Sequence, residues 1–431
     1  KKDAPFEVCC AFLKALAAGE NVMYAVCALA QTPYKPLETL ILIRNQLLLR
    51  RKELPAHVGA EACTQARVLE LDDYLVEVLR QLTHPSLLTF HELGRSNSVL
   101  LYKAIIQTEQ VQKMNSMLEL FARMRPGRHV YYLSHPTIEG QPNVEGEEVR
   151  VDPPLVFVSA AFMKDIPSTI EEILHGDVLP NEDFTANCAV FYSINTPHAG
   201  LQGLNIAPHL IYSAVRHIQR FYPNIQRYCT YSPIPTFNKW LNKQFDEHSE
   251  ILTDQERHAL LPLVAGSANT SSKAILKDVL SQKRIVDEAV ADVVKPVLMR
   301  LALHHIVGIP PLPLPSQTRA RVDVRQTAAV DKAVLHVEHE SHMECGRSPS
   351  LILEVPPQSY GCPVANFHLR NGAYLFRLNW MGDATKLNQS FGIMANYVYD
   401  LDHLDSHHGF YKKGGRAISP GVADIWTSRS Q

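Results

Sequence analysis

The chain has 431 residues, of which 46% are hydrophobic and 20% charged, with a formal net charge of -2. That length predicts two or three domains, and the composition is that of a soluble globular protein, which excludes the disordered and fibrous classes. Balanced charge leaves no overall basic footprint for nucleic acid, and the longest apolar runs, LETLILI before Arg44 and VVKPVLMRLALHHIVG, are interrupted by charge or proline before the roughly 20 residues that span a membrane.

The opening KKDAPFEVCCAFLKALAAG has no initiator methionine and no clear basic, apolar and cleavage-site series. An upstream presequence is therefore expected to have been trimmed or left out, and organelle import stays open. Eight cysteines, at 9, 10, 27, 63, 188, 229, 345 and 362, include no C-x-x-C pair. They read as ordinary thiols of a reducing compartment.

From Phe6 to about Arg123 apolar residues recur at helical spacing, as in DDYLVEVLRQL and VQKMNSMLELFARM, and the stretch is expected to be all-helical. After the RPGRH turn, HVYYLSHP, PLVFVSAAF, CAVFYSI and YCTYS are short β-branched and aromatic runs alternating with helical segments. Such alternation predicts an α/β sheet domain from near Gly127. A strand over 188–194 then feeds a glycine-containing loop, and Pro208 suits the first turn of a following helix. Leu210, Ile211, Ala214, Val215, Ile218 and Phe221 fall on one face of that helix. A second long helix carries Ile285, Val286, Ala289, Val290, Val293, Val297 and Leu301 at the same period, with a kink expected at Pro296. From GIPPLPLP the composition shifts, and 308–359 reads as an insertion or long excursion. Strand signals resume in AYLFRLNW and SFGIMANYVYDL, and no internal repeat is evident.

Three segments could carry chemistry. The loop GLQGLNIAP, 200–208, lies between a strand and a helix N-terminus, where backbone N–H groups and the helix dipole favour an anion. Ser232 in YSPIPTFNKWL ends a strand, and the Pro-Ile-Pro that follows stiffens the backbone and delays the next helix. His368 in CPVANFHLRNGAYLFRLNW precedes an Asn-Gly turn and another strand, and a side chain at a strand end can reach a cleft.

SPIPTFNKWL, PVANFHLRNGA followed by RLNW, and SFGIMANYVYDL, in that order, resemble the malonyl-CoA decarboxylase family. RHVYYLSHP, PLVFVSAAFMKDIPSTIEEIL and VFYSI followed by GLQG fit the same pattern, so the resemblance covers about 80–307 and 361–420. It implies an α+β multidomain protein: a helical oligomerisation domain over 1–125, then a Gcn5-related N-acetyltransferase-like α/β domain over 126–431 that contains the insertion. It implies malonyl-CoA binding by Gln202, Gly203, Leu204, Asn205, Ile206, Ala207 and Pro208, and catalysis by Ser232 and His368, with His135 and Tyr399 at the same site. Asn205 and Ala207 depart from the pattern, which more often has an acidic or small polar residue and a glycine there. The implied reaction turns malonyl-CoA into acetyl-CoA and carbon dioxide in fatty-acid metabolism, with no cofactor beyond the CoA of the substrate and no metal. A homotetramer without nucleic-acid or membrane partners is implied, in the mitochondrial matrix, peroxisome or cytoplasm. The chain ends in SRSQ, not in the Ser-Lys-Leu peroxisomal address.

Loss of carbon dioxide from a malonyl thioester leaves an enolate, so the barrier falls if the thioester oxygen is stabilised and the α-carbon is protonated. Following the resemblance, Ser232 is assigned to orient the substrate carboxylate together with His368, and His368 to supply the proton to the α-carbon. A Ser–His pair also allows a thioesterase, although no G-x-S-x-G elbow surrounds Ser232. An acetyltransferase or a non-catalytic CoA-binding regulator would also suit a fold that binds CoA. His336, His339, His342 and Cys345 recur every third residue and could offer zinc ligands, but a solvated polar segment is the reading preferred for them, as for His403, His407 and His408.

Overall fold

The β-branched and aromatic runs form strands because such side chains fit a pleated, half- or fully buried surface. A computed structural model of the chain describes residues 36–53, 60–136, 154–176, 185–247, 250–264, 271–280, 287–309, 335–336, 350–355 and 361–427. Its strands are β1 (Thr89–Glu92), β2 (Arg128–Ser134), β3 (Val156–Met163), β4 (Cys188–Asn195), β5 (Arg227–Pro233), β6 (Leu335–His336), β7 (Leu351–Glu354), β8 (Tyr374–Asn379), β9 (Met394–Tyr399) and β10 (Gly415–Ile418). The chain divides into two units, 1–161 with 191–223 and 162–190 with 224–431.

In the first unit the helices Pro36–Glu53 and Ala60–Leu82 bury Leu40, Ile41, Leu75 and Leu79. Arg44 and Asp72, buried one on each helix, form a 2.8 Å ion pair. The stretch read as purely helical to Arg123 contains β1, which pairs antiparallel with β2 from Thr89↔Ser134 to Glu92↔Tyr131. A four-residue strand gives too little alternation to register by itself; its partner supplies the hydrogen bonds. VQKMNSMLELFARM also yields only the short helix Met117–Ala122, started by Ser116, whose side chain accepts from the Glu119 N–H. β2 pairs in turn with β3. Leu93, Tyr102, Ile105, Met114, Leu120, Val130, Tyr132 and Phe157 form the core around these elements. The buried Glu109 carboxylate accepts from Ser193 Oγ and Asn195 Nδ2, which ties the end of β4 to the segment after the helix Val99–Thr108.

The helix Ile206–Phe221 starts where Pro208 allows. Leu210, Ile211, Ala214, Val215 and Ile218 are buried as their spacing predicts, but Phe221 is 57% exposed. As the last helical residue it turns to the surface, where its ring lies 4.6 Å from that of His217.

The second unit contains a mixed sheet. β5 pairs antiparallel with β9, β9 antiparallel with β8, β8 parallel with β10, and β10 and β6 antiparallel with β7. A register shift interrupts β8 between Leu375 and Arg377. The helix Glu288–Val307 runs through Pro296, which sits on its exposed side, and buries Val294 where the periodicity had placed Val293. Ile285 and Val286 lie outside the described residues. β7, within the stretch expected to be an excursion, belongs to the sheet through β10. Among the described residues no helix is long and apolar enough to cross a membrane.

Candidate active site

β5 presents alternate residues to opposite faces, so Thr230 and Ser232 share one face and Cys229 and Tyr231 the other. Its partner β9 matches Thr230 with Tyr397 and Tyr228 with Tyr399, which brings both tyrosines to the Ser232 face. His368 enters from the helix Pro363–Arg370, not from a strand end. Ala365, His368 and Leu369 are that helix's buried residues, at i, i+3 and i+4.

The His368 ring stacks on Tyr397 at 4.7 Å between centroids, with an interplanar angle of 24°. Its Nε2 lies 3.1 Å from Ser232 Oγ and its Nδ1 2.8 Å from the Tyr399 hydroxyl. Ser232 Oγ donates to Thr230 Oγ1 at 3.0 Å. If the serine proton goes to Thr230, Nε2 must carry a hydrogen and Nδ1 must accept from Tyr399. Donation then runs in one direction, from Tyr399 through His368 to Ser232 and Thr230. His368 is 2% exposed. Burial without a charged partner lowers its pKa to about 3, so the ring is neutral, and burial also holds the Tyr399 phenol well above its ordinary value.

The opposite face of the strands braces the site. Asn396 Nδ2 donates to Thr230 O, Asn379 Nδ2 donates to Asn396 Oδ1 at 2.7 Å, and Arg377 Nε donates to Asn379 Oδ1 at 2.7 Å. Arg377 Nη2 reaches the carbonyls of Ile166 and Pro167. Sequence reasoning missed Thr230, Tyr397, Asn396 and Arg377. Thr230 was findable as the residue two before Ser232 on a strand.

The loop 200–208 and His135 belong to the first unit. His135 is buried immediately after β2. In the loop Leu201, Leu204 and Ile206 are buried anchors, while Gln202, Gly203 and Asn205 are exposed. Gly203 has φ +81 and Asn205 φ 58. Asparagine is among the few residues that adopt this left-handed region readily, which accounts for its presence at 205. It makes no side-chain cap on the helix Ile206–Phe221.

His339, His342 and Cys345 lie outside the described residues, and His336 is in β6. His403 contacts Asp400, His407 contacts Ser350 and the Gly372 carbonyl, and His408 contacts the Arg370 carbonyl. Among the described residues no group of three or more His, Cys, Asp and Glu is placed to hold a metal ion. Cys188, Cys229 and Cys362 are buried free thiols.

The model of the malonyl-CoA decarboxylase C-terminal domain matches residues 87–332 and 352–430. The chain belongs to this family. The unmatched internal stretch, 333–351, is shorter than the excursion expected from composition. Among curated relatives, the mitochondrial malonyl-CoA decarboxylase of Anser anser anser is 27% identical over 84% of this chain and 62% of its own length. That of Mus musculus is 26% identical over 78% of this chain and 58% of its own length. The chain thus spans about three-fifths of these relatives. The crystal structure of malonyl-CoA decarboxylase from Rhodopseudomonas palustris has a TM-score of 0.66 and 25% identity, covering 94% of this chain and 80% of that one. The Agrobacterium vitis enzyme, 23% identical with a TM-score of 0.67 over 96% and 86%, shares the fold of this malonyl-CoA decarboxylase family member.

Proposed function

We propose that the protein is a carboxy-lyase that converts malonyl-CoA to acetyl-CoA and carbon dioxide. The observation that carries this reading is the buried, uncharged chain Tyr399–His368–Ser232 on family motifs. Ser232 turns from Thr230 to bind the substrate carboxylate, and His368 Nε2 faces the α-carbon. Cleavage of the carboxyl carbon–carbon bond leaves its electron pair on the α-carbon as a thioester enolate. The Nε2 proton moves to that carbon, the Tyr399 proton moves to Nδ1, and the phenolate regains a proton from solvent. An enolate carbon is more basic than a phenolate, so the two transfers made together run downhill, and because Nδ1 gains a proton as Nε2 loses one the ring carries no net charge. Burial lowers the His368 pKa to about 3, which makes the neutral ring the form from which the reaction starts.

The loop 202–208 binds the CoA pyrophosphate through backbone N–H groups, and His135 and Tyr399 complete the set of residues required for turnover. The reaction needs no metal or organic cofactor, because the thioester delocalises the carbanion. The family resemblance supports an N-terminal helical domain, an acetyltransferase-like catalytic domain and a homotetramer. The relatives named mitochondrial support a mitochondrial location, and the family resemblance a role in fatty-acid metabolism.

The test is to incubate the protein with malonyl-CoA in deuterated water and resolve the CoA products by mass. Acetyl-CoA carrying one deuterium is expected. Malonate with free CoA would make the protein a thioesterase, and tight binding without product would make it a CoA-binding regulator.

A further inference from the structure

The helix Pro36–Glu53 touches the candidate CoA loop through its backbone. Arg44 is 5% exposed, and its Nη1 donates to Gly200 O at 2.6 Å and to Gln202 O at 2.7 Å while Nε donates to Asp72 Oδ1 at 2.8 Å. The next residue, Asn45, accepts from the Gly200 N–H through Oδ1. A Cβ at Gly200 would overlap the carbonyl oxygen of Ile41, so helix and loop backbone are in direct contact. All of these residues lie in the first unit.

Two carbonyls converging on one buried guanidinium, that of Gly200 buried and that of Gln202 part-buried, fix the orientation of two peptide planes. In a trans peptide the carbonyl of one residue and the N–H of the next point in opposite directions. With Gln202 O turned to Arg44, the Gly203 N–H is turned away from the helix, and among the described residues it has no backbone acceptor. The preceding N–H groups, of Leu201 and Gln202, are occupied by His198 O and Ala199 O. Buried side chains of Leu201 and Leu204 pin the loop on either side, while Gly203 itself is exposed. Arg44 thus holds from behind the peptide whose N–H faces outward.

We infer that Arg44, with Asn45, is a positioning residue that presets the 200–204 backbone for the pyrophosphate of a CoA thioester, so that the helix Pro36–Glu53 sets affinity for the nucleotide handle. This rests on the malonyl-CoA reading of the loop. It assigns a binding function to a helix that none of the recognised motifs includes, and it predicts an effect confined to substrates that carry the pyrophosphate.

The experiment compares malonyl-CoA with malonyl-pantetheine, which keeps the reacting thioester and lacks the pyrophosphate, in the full chain and in Arg44→Met and Asn45→Ala. In Arg44→Met the KM for malonyl-CoA should rise about 10-fold or more with kcat within about twofold, since the lost term is binding shared by ground and transition states. Malonyl-pantetheine kinetics should be unchanged. Asn45→Ala, which removes one neutral contact and leaves the buried ion pair intact, should show the same pattern at smaller size and serves if Arg44→Met does not fold. Equal losses on both substrates, or no change in the malonyl-CoA KM, would overturn the role of Arg44 and Asn45 alone. Wild-type protein that turns over both thioesters equally well would instead remove the pyrophosphate assignment of the loop, and the inference with it.

Discussion

Two buried histidines of the second unit answer to the same bulk description and differ in one atom. His368 and His305 are each under 5% exposed, each has Nε2 on a hydroxyl, Ser232 at 3.1 Å and Thr236 at 2.9 Å, and each is stacked on an aromatic ring. Burial lowers both pKa values, to about 3 and about 4. The difference is Nδ1. In His368 it meets the Tyr399 hydroxyl, whereas in His305 it is buried with no hydrogen-bond partner among the described residues. A third histidine, His407, has Ser350 on Nε2 and the Gly372 carbonyl on Nδ1, which fixes its tautomer because a carbonyl only accepts. Of the three rings, only His368 has on each nitrogen a hydroxyl, which can both donate and accept, so only it can take up a proton at one nitrogen as it gives one up at the other. A Ser–His or Thr–His pair is thus not by itself a sign of chemistry; the group behind the ring decides.

The largest effects should come from the front of that relay. Ser232→Ala and His368→Asn are each expected to lower turnover of malonyl-CoA by roughly two to four powers of ten, the range for positioned acid–base groups and preorganised donors. If both act on one transition state, the double variant should be little slower than the worse single variant. Additive losses in steady-state assays would mean that the two side chains serve separate steps.

The comparison sharpens when only the group behind each ring is changed. Tyr399→Phe removes one oxygen and should cost turnover about 10- to 100-fold while leaving CoA affinity, measured by calorimetry, near the wild-type value. Thr236→Val removes the hydroxyl partner of His305 and should leave turnover within about threefold. A Tyr399→Phe protein as active as wild type would break the relay and return Tyr399 to a packing role.

The parts of this site legible in the sequence are those made of side chains in ordered segments. Ser232 before Pro-Ile-Pro and His368 before Asn-Gly stand out because their neighbours constrain the backbone. The buried spacing of Ala365, His368 and Leu369 is helical, although the Asn-Gly turn after them points toward a strand end. Strand alternation alone puts Thr230 on the Ser232 face. What alternation cannot supply is the register of β5 against β9, strands more than 150 positions apart, which sets Thr230 opposite Tyr397 and so builds the floor under the imidazole. Arg44 is invisible in the sequence for a different reason. Its partners are backbone carbonyls 156 and 158 positions away, and carbonyls carry no residue identity. β1 and Phe221 escape periodicity for want of neighbours: a four-residue strand and a last helical turn take their burial from what lies beside them.

The smallest expected effect concerns stability, where the two histidines should behave alike. Both have folded-state pKa values depressed from 6.5, so below that value the unfolded chain binds protons that the folded rings refuse. Stability rises with pH wherever the unfolded state holds more protons. The contribution of each neutral ring is therefore complete above pH 6.5 and is lost on acidification, down to about 3 for His368 and about 4 for His305. One proton changes the unfolding free energy by at most about 1.4 kcal/mol per pH unit. In urea titrations of the second-unit transition from pH 7 to pH 5, His368→Asn and His305→Asn should each flatten the acid loss of midpoint relative to wild type, and the double variant should flatten it further. The slope is the readout, because removing either ring also shifts the midpoint itself through lost packing. Equal flattening beside unequal turnover would separate the two properties: burial, which the rings share, governs the acid limb, and the Tyr399 hydroxyl, which only one of them has, governs the chemistry. A wild-type slope in His305→Asn would show that His305 is solvated in the native state, and that it does not differ from His368 by Nδ1 alone.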